Sequence, residues 1–111
     1  MVAACLPGER HEWGLLVTLT EMDERGWRLH YLGPDLPVAD ALEAAWRLRP
    51  SIIALSASHH SVIESAMSEL SGLPSKLPPG VIPVIGGSGS EPHARVLRAF
   101  GYRIGPEAFA A

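Results

Sequence analysis

His11 is the side chain in this sequence best placed to do chemistry. It stands in Gly8-Glu-Arg-His-Glu-Trp-Gly14, with a carboxylate, Glu9, two residues before it and a glycine, Gly14, three residues after. A metal-bound imidazole usually donates its second ring N–H to a carboxylate, which fixes the tautomer and raises the basicity of the ligating nitrogen. Glu9 can fill that place if the loop folds back on itself, and Gly14 lets a ligand or a backbone come close. Trp13 borders the same segment and could contact a ligand, although tryptophans, here also Trp27 and Trp46, more often serve packing. The spacing around His11 suits an ordinary solvated loop ahead of a helix equally well, so it does not decide alone.

Two further segments bear on the question. Leu55-Ser-Ala-Ser-His-His-Ser61 carries Ser56 and Ser58, whose hydroxyls can bond a ligand or satisfy neighbouring backbone. His59 and His60 are adjacent, so in any regular structure they point apart, which argues against a metal shared between them. Ile85-Gly-Gly-Ser-Gly-Ser90 has three glycines in four positions. Glycines there remove side chains where something must approach the backbone. The segment lacks the lysine of a phosphate-binding P-loop. There is no CxxC, HExxH or G-x-S-x-G, and no serine has a nucleophile's surroundings.

The elements that must position these segments follow from apolar patterning. Short buried runs at Val2–Leu6, Trp27–Leu32, Ser51–Ser56, Val81–Ile85 and Tyr102–Ile104 read as strands. Helical spacing of apolar residues predicts helices over 13–25, from Pro37 to just before Pro50, and from about Pro92 to Phe100. Ser61-Val-Ile-Glu64 has capping-box spacing, so another helix is expected to start there and run to about Ser71. Pro83 is an irregularity within its strand. His30 falls in the second strand as a structural or surface residue, and His93 is expected to be solvated near the start of the last helix. Strands alternating with helices give an α/β, doubly wound, five-stranded parallel sheet, flavodoxin-like, with strand order 2-1-3-4-5. Such sheets bind ligands outside the carboxyl ends of their strands, which is where all three segments fall.

Bulk properties set the bounds. One domain over 1–111 is expected, with 47% hydrophobic and 19% charged residues, a balance suited to a folded core. The single cysteine, Cys5, leaves no disulfide framework, and the opening residues lack a secretory pattern, so a cytoplasmic setting is expected. A formal net charge of −3 without clustered cations argues against direct nucleic-acid binding. No run is long and apolar enough for a membrane span. A phosphoacceptor receiver domain would need acidic residues after its first strand and an aspartate after its third. A flavodoxin would need a hydroxyl-rich loop after its first strand, and 7–14 has no hydroxyl.

Together, Glu9-x-His11-x-x-Gly14, the Ser56 loop and Gly86-Gly87 resemble the cobalamin-binding domain family over nearly the whole chain. That family carries D-x-H-x-x-G, a serine-containing loop and a Gly-Gly pair in the same order. The resemblance implies base-off binding of cobalamin, as adenosylcobalamin or another corrinoid form. His11 would be the lower axial cobalt ligand and Glu9 its hydrogen-bond partner, while Ser56, Gly86 and Gly87 would line the slot for the nucleotide tail. Ser58, Gly14, Trp13 and His60 complete the expected cofactor-binding set, with His60 near where the corrinoid enzymes often carry threonine. Glu9 stands where those enzymes have aspartate, whereas Pro7-Gly-Glu-Arg-His11 and Tyr31-Leu-Gly-Pro-Asp35 look more like the MerR-type cobalamin photoreceptors. The expected role is therefore a sensor rather than an enzyme, with another domain or subunit over the upper face of the corrin. A haem sensor of the same fold and a corrinoid carrier subunit are the alternatives.

Overall fold

Alternation along the first strand decides how the sheet is covered. In β1 (Val2–Cys5) and the residues flanking it, Val2, Ala4 and Leu6 face one apolar layer while Met1, Ala3 and Cys5 face another. A strand buried on both sides belongs at the centre of a parallel sheet. β1 pairs with β2 (His30–Tyr31) on one side and β3 (Ile52–Ser56) on the other, and β4 (Ile82–Gly86) and β5 (Arg103–Ile104) follow. All pairs are parallel and the order is 2-1-3-4-5, as the patterning implies. The computed structural model describes residues 1–105; positions 106–111 of the expected single domain lie outside them.

The helices divide unequally between the faces. α2 (Val38–Leu48), α3 (His60–Lys76) and α4 (Ala94–Phe100) pack Val38, Ala41, Ala45, Ile63, Leu70 and Leu97 against Ile53, Leu55 and Ile85. Among the described residues, α1 (Trp13–Glu24) alone covers the other face, through Leu15, Leu19 and Met22 over Ala3, Ala54 and Val84. No helix among the described residues is long and apolar enough to cross a membrane.

Several local expectations need correction. β2 is far shorter than Trp27–Leu32, because an edge strand with one neighbour is held only where β1 offers partners. The capping box at Ser61 does not form. α3 begins at His60, and the His59 ring caps it by accepting the Ser61 N–H at 3.2 Å. α3 also runs past Ser71 to Lys76, with Pro74 inside its last turn. The segment before α4 is a 3₁₀ helix, Ser88–His93, containing Pro92. Pro83 has a simple account. Ile82 donates to Ser51 on the β3 side and Ile85 accepts from Gly105 on the β5 side. Backbone alternation therefore turns Pro83 toward β5, whose pairing starts only at Val84, and its missing N–H leaves no partner wanting.

Candidate cofactor-binding site

The loop between β1 and α1 is tied down from both sides of β1, by the loop that follows β3 and by the end of β2 with the turn after it. Glu9 reaches inward and is 1% exposed. Its Oε2 accepts the Ser58 hydroxyl at 2.9 Å and the His11 backbone N–H at 3.0 Å, and lies 3.1 Å from His11 Nδ1. Its Oε1 accepts the Ser58 backbone N–H. Burial pushes the Glu9 pKa up, but the donors from Ser58 and His11 outweigh it and hold the carboxyl below its ordinary value. An ionised carboxylate only accepts, so the His11 nitrogen facing it carries a proton, and in the neutral ring this leaves the lone pair on Nε2. Within the described residues Nε2 has no hydrogen-bond partner, and the side chain is 84% exposed. The ring is thus oriented by one edge and free at the other.

The second tie comes from the Tyr31–Asp35 turn. Asp35 accepts the Gly8 N–H at 2.7 Å and returns its own N–H to the Glu9 carbonyl at 2.9 Å, from a left-handed backbone with φ 51°. Arg10 lies 3.4 Å from the same carboxylate. The Tyr31 hydroxyl donates to Glu12 Oε1. The sequence motif Tyr-Leu-Gly-x-Asp is therefore a clasp on the histidine loop.

Beside His11 opens a cavity of about 340 Å³, between α1 and the carboxyl ends of β3 and β4. That is within the range of small-molecule sites, roughly 300–1,000 Å³. Gly14, Leu15, Thr18 and Leu19 form its helix wall, and Ala54, Ser56, Val84 and Gly86 its sheet wall. Strand alternation explains the latter set, since Ser56 and Gly86 are register partners two residues beyond Ala54 and Val84. At Gly14 a Cβ would meet nothing within 4 Å, and at Gly86 it would meet only the Gly105 Cα at 3.9 Å. Neither glycine is demanded by the packing of the chain itself, and both keep the slot open. The residues present fit a ligand that enters beside the His11 imidazole.

Gly87 differs. Its φ of 92° and ψ of 156° suit glycine alone, and a Cβ would stand 2.2 Å from the Ala57 carbonyl oxygen. Although it lines the slot, it is glycine because the backbone of the next loop passes there. Ser88 and Ser90, not singled out from the sequence, complete the arrangement. Ser88 donates to the Ser58 carbonyl at 2.8 Å, and buried Ser90 donates to the Gly87 carbonyl at 2.7 Å.

The chain is 34% identical over 105 residues to the HTH-type transcriptional repressor CarA of Myxococcus xanthus, covering 88% of this chain and 34% of that protein. It is 34% identical over 103 residues to the HTH-type transcriptional repressor CarH of the same organism, covering 93% of this chain and 34% of that protein. The chain thus spans about a third of each relative's length. Among solved structures, a novel cobalamin-binding protein from Desulfitobacterium hafniense superposes with a TM-score of 0.78 at 23% identity, over 93% of this chain and 50% of that one. The chain has that protein's fold. No protein-family model matches the chain.

Of the residues expected at the site, His11, Gly14, Ser56, Ser58, Gly86 and Gly87 gather around the slot, with Glu9 directly beneath His11. Trp13 and His60 do not line it. Trp13 is 80% exposed on α1, so neither packing nor a slot contact describes it. Trp46 is half-exposed, its ring N–H spent on the Lys76 carbonyl at 2.8 Å. His60 turns its Nδ1 to Glu64 at 2.6 Å, and His93, expected to be solvated, shares that carboxylate oxygen at 3.0 Å. Nor do His59 and His60 point apart: their ring centroids are 4.2 Å from each other, because His59 caps the helix that His60 starts.

Proposed function

We propose that this chain is a cobalamin-binding sensory module of a transcription regulator, holding the corrinoid base-off with His11 as the lower axial ligand. The observation that carries the reading is the His11 ring, fixed through Nδ1 by Glu9 and Ser58 and free at Nε2, at the mouth of the slot between α1 and the β3–β4 ends. When bound, the corrinoid would supply the cobalt chemistry through which a signal is sensed. The chain's part is to bind and orient. Glu9 and Ser58 hold the imidazole, and Gly14, Ser56 and Gly86 leave room for the nucleotide tail.

The similarity to two transcriptional repressors and the fold of a cobalamin-binding protein support a cobalamin-binding regulatory role. Light or cofactor level is the signal proposed for it. A binding role is favoured over catalysis because, among the described residues, the slot is lined by hydroxyls, apolar walls and a single ionisable side chain, the His11 imidazole. The net charge of −3 assigns DNA contact to another part of the regulator, in the cytoplasm, and the exposed His11 leaves the upper face of the corrin to a further domain or subunit.

The test is an absorption titration of the purified protein with adenosylcobalamin, hydroxocobalamin and, separately, haem. Wild-type protein is expected to give the spectrum of a histidine-ligated, base-off corrin. His11→Ala should bind more weakly and lose the histidine-ligated signature. Haem binding through His11 without corrinoid binding would replace this reading with a haem sensor.

A further inference from the structure

The Tyr31–Glu12 hydrogen bond does something that neither the slot nor the axial ligand accounts for. Glu12 is the residue from which α1 starts, the position whose side chain ordinarily caps the free N–H groups of a helix. It makes no cap hydrogen bond, and its carboxylate accepts the Tyr31 hydroxyl from the end of β2 instead. Burial, reinforced by that bond to Glu12, pushes the Tyr31 phenol well above its ordinary pKa, so it remains a donor. Cys5 Sγ lies 3.9 Å from the Tyr31 oxygen and 3.9 Å from the His11 carbonyl, so one buried thiol touches both the tyrosine and the histidine's backbone.

The start of α1 needs such a tie. Its second residue is Gly14, which opens space rather than filling it, and Trp13 and Val17 leave its outer side exposed at 80% and 54%. Thr18 and Thr20 bond back to the Gly14 and Leu16 carbonyls, an arrangement that bends and slightly weakens a helix. The same first turns carry the helix wall of the slot. His11 is therefore held between two carboxylates anchored on opposite sides of β1. Glu9, on Ser58 beyond β3, fixes the imidazole, and Glu12, on Tyr31 of β2, fixes the backbone leading into the slot wall.

Resting on the corrinoid reading above, we infer that Tyr31 and Glu12 are a positioning pair that sets the width of the slot, and so the affinity for the nucleotide tail, independently of the axial ligand. Without the bond, the first turns of α1 must be ordered by the ligand, and that ordering is subtracted from binding. The freed glutamate cannot take over as a cap of the usual kind, because its carboxylate sits one carbon further out than that of the aspartate favoured there.

The experiment compares cobalamin with cobinamide, a corrinoid that lacks the tail, on wild type, Tyr31→Phe and Glu12→Gln, with circular dichroism confirming the fold of each. Tyr31→Phe is expected to weaken cobalamin by about tenfold, the worth of one hydrogen bond to a charged group, while cobinamide binding and its histidine-ligated spectrum hardly change. Glu12→Gln, which keeps the shape and removes the charge, should shift cobalamin in the same direction by less. In the ligand-free proteins, amide exchange should quicken at Leu15–Leu19 in Tyr31→Phe and stay as in wild type across α3. Equal loss of both corrinoids, or no loss of either, would overturn the pairing's role in the tail slot. Unchanged exchange at Leu15–Leu19 would overturn it without reference to any ligand. A wild type that binds neither corrinoid removes the function proposed above, a result separate from any difference between the variants.

Discussion

Ser58 and Glu9, 49 positions apart in the chain, are joined by two hydrogen bonds, one from the serine's backbone N–H to Oε1 and one from its hydroxyl to Oε2 at 2.9 Å. The loops after β1 and β3 thus share one buried carboxylate, and the His11 ring sits on its remaining edge, with the Ser58 oxygen 3.3 Å from Nδ1. The orientation of the candidate ligand is therefore set by long-range contacts as well as by the loop's own sequence.

Glu9→Gln should be more disruptive than a change of one hydrogen-bond partner of His11. Among the described residues the Glu9 carboxylate meets four donors, two on Ser58 and two on His11. An amide must turn its NH₂ toward one of them, burying an unsatisfied donor at about 1–3 kcal/mol. The urea midpoint is expected to fall accordingly, and corrinoid affinity to drop by roughly 10- to 100-fold. A midpoint equal to that of wild type would show that these bonds contribute nothing net to stability.

The two adjacent glycines should separate a slot from a backbone requirement. Gly86→Leu projects into the cavity, where a Cβ meets only the Gly105 Cα at 3.9 Å, so the fold should survive while cobalamin affinity falls by more than about tenfold. Gly87→Ala should damage the fold itself. Its backbone conformation costs an L-residue about 1–3 kcal/mol, and the added carbon strikes the Ala57 backbone. Thermal melts beside binding titrations check both. A Gly86→Leu protein that binds cobalamin as wild type does would show that the tail does not pass there.

The fold was legible because the inner strands β1, β3 and β4 are largely apolar runs and two helices end at glycines, Gly26 at φ 89° after α1 and Gly101 at φ 113° after α4. The Glu9–His11–Gly14 triplet was legible because its members lie within six residues and keep local geometry. Ser58's part was not, since a hydroxyl at a strand end bonds backbone or side chain according to what the neighbouring loop presents. The second demand on Gly87 was hidden for a similar reason: a glycine that only borders a slot and one also required by a crossing backbone look the same in sequence. The Tyr31–Glu12 bond spans 19 residues and left no periodic trace, although the Tyr-Leu-Gly-x-Asp turn marked one end of it. His60 and His93 come together only because Glu64 sits one helical turn after His60 and faces the 3₁₀ helix.

That cluster makes a pH prediction whose sign is fixed by its donors. The bond from His60, then that from His93, lowers the Glu64 pKa below its ordinary 4.5. A carboxylate with a depressed folded-state pKa adds stability that is fully present above the unfolded value and is lost as pH falls through the folded one. The tie between α3 and the Ser88–His93 segment should therefore hold through neutral and mildly acidic pH and loosen only below about 4.5. A carboxyl-carbon NMR titration should place the Glu64 midpoint below 4.5 in wild type. The midpoint should rise in His93→Gln and rise further in His60→Gln, which removes the larger of the two contributions. Because the 3₁₀ helix follows Gly86 and Gly87, the amide-exchange protection factor at Gly89, whose N–H bonds the Ala57 carbonyl at 3.0 Å, should fall over the same acid range. A wild-type midpoint at or above the ordinary carboxylate value would show that the two imidazoles do not hold Glu64 in solution.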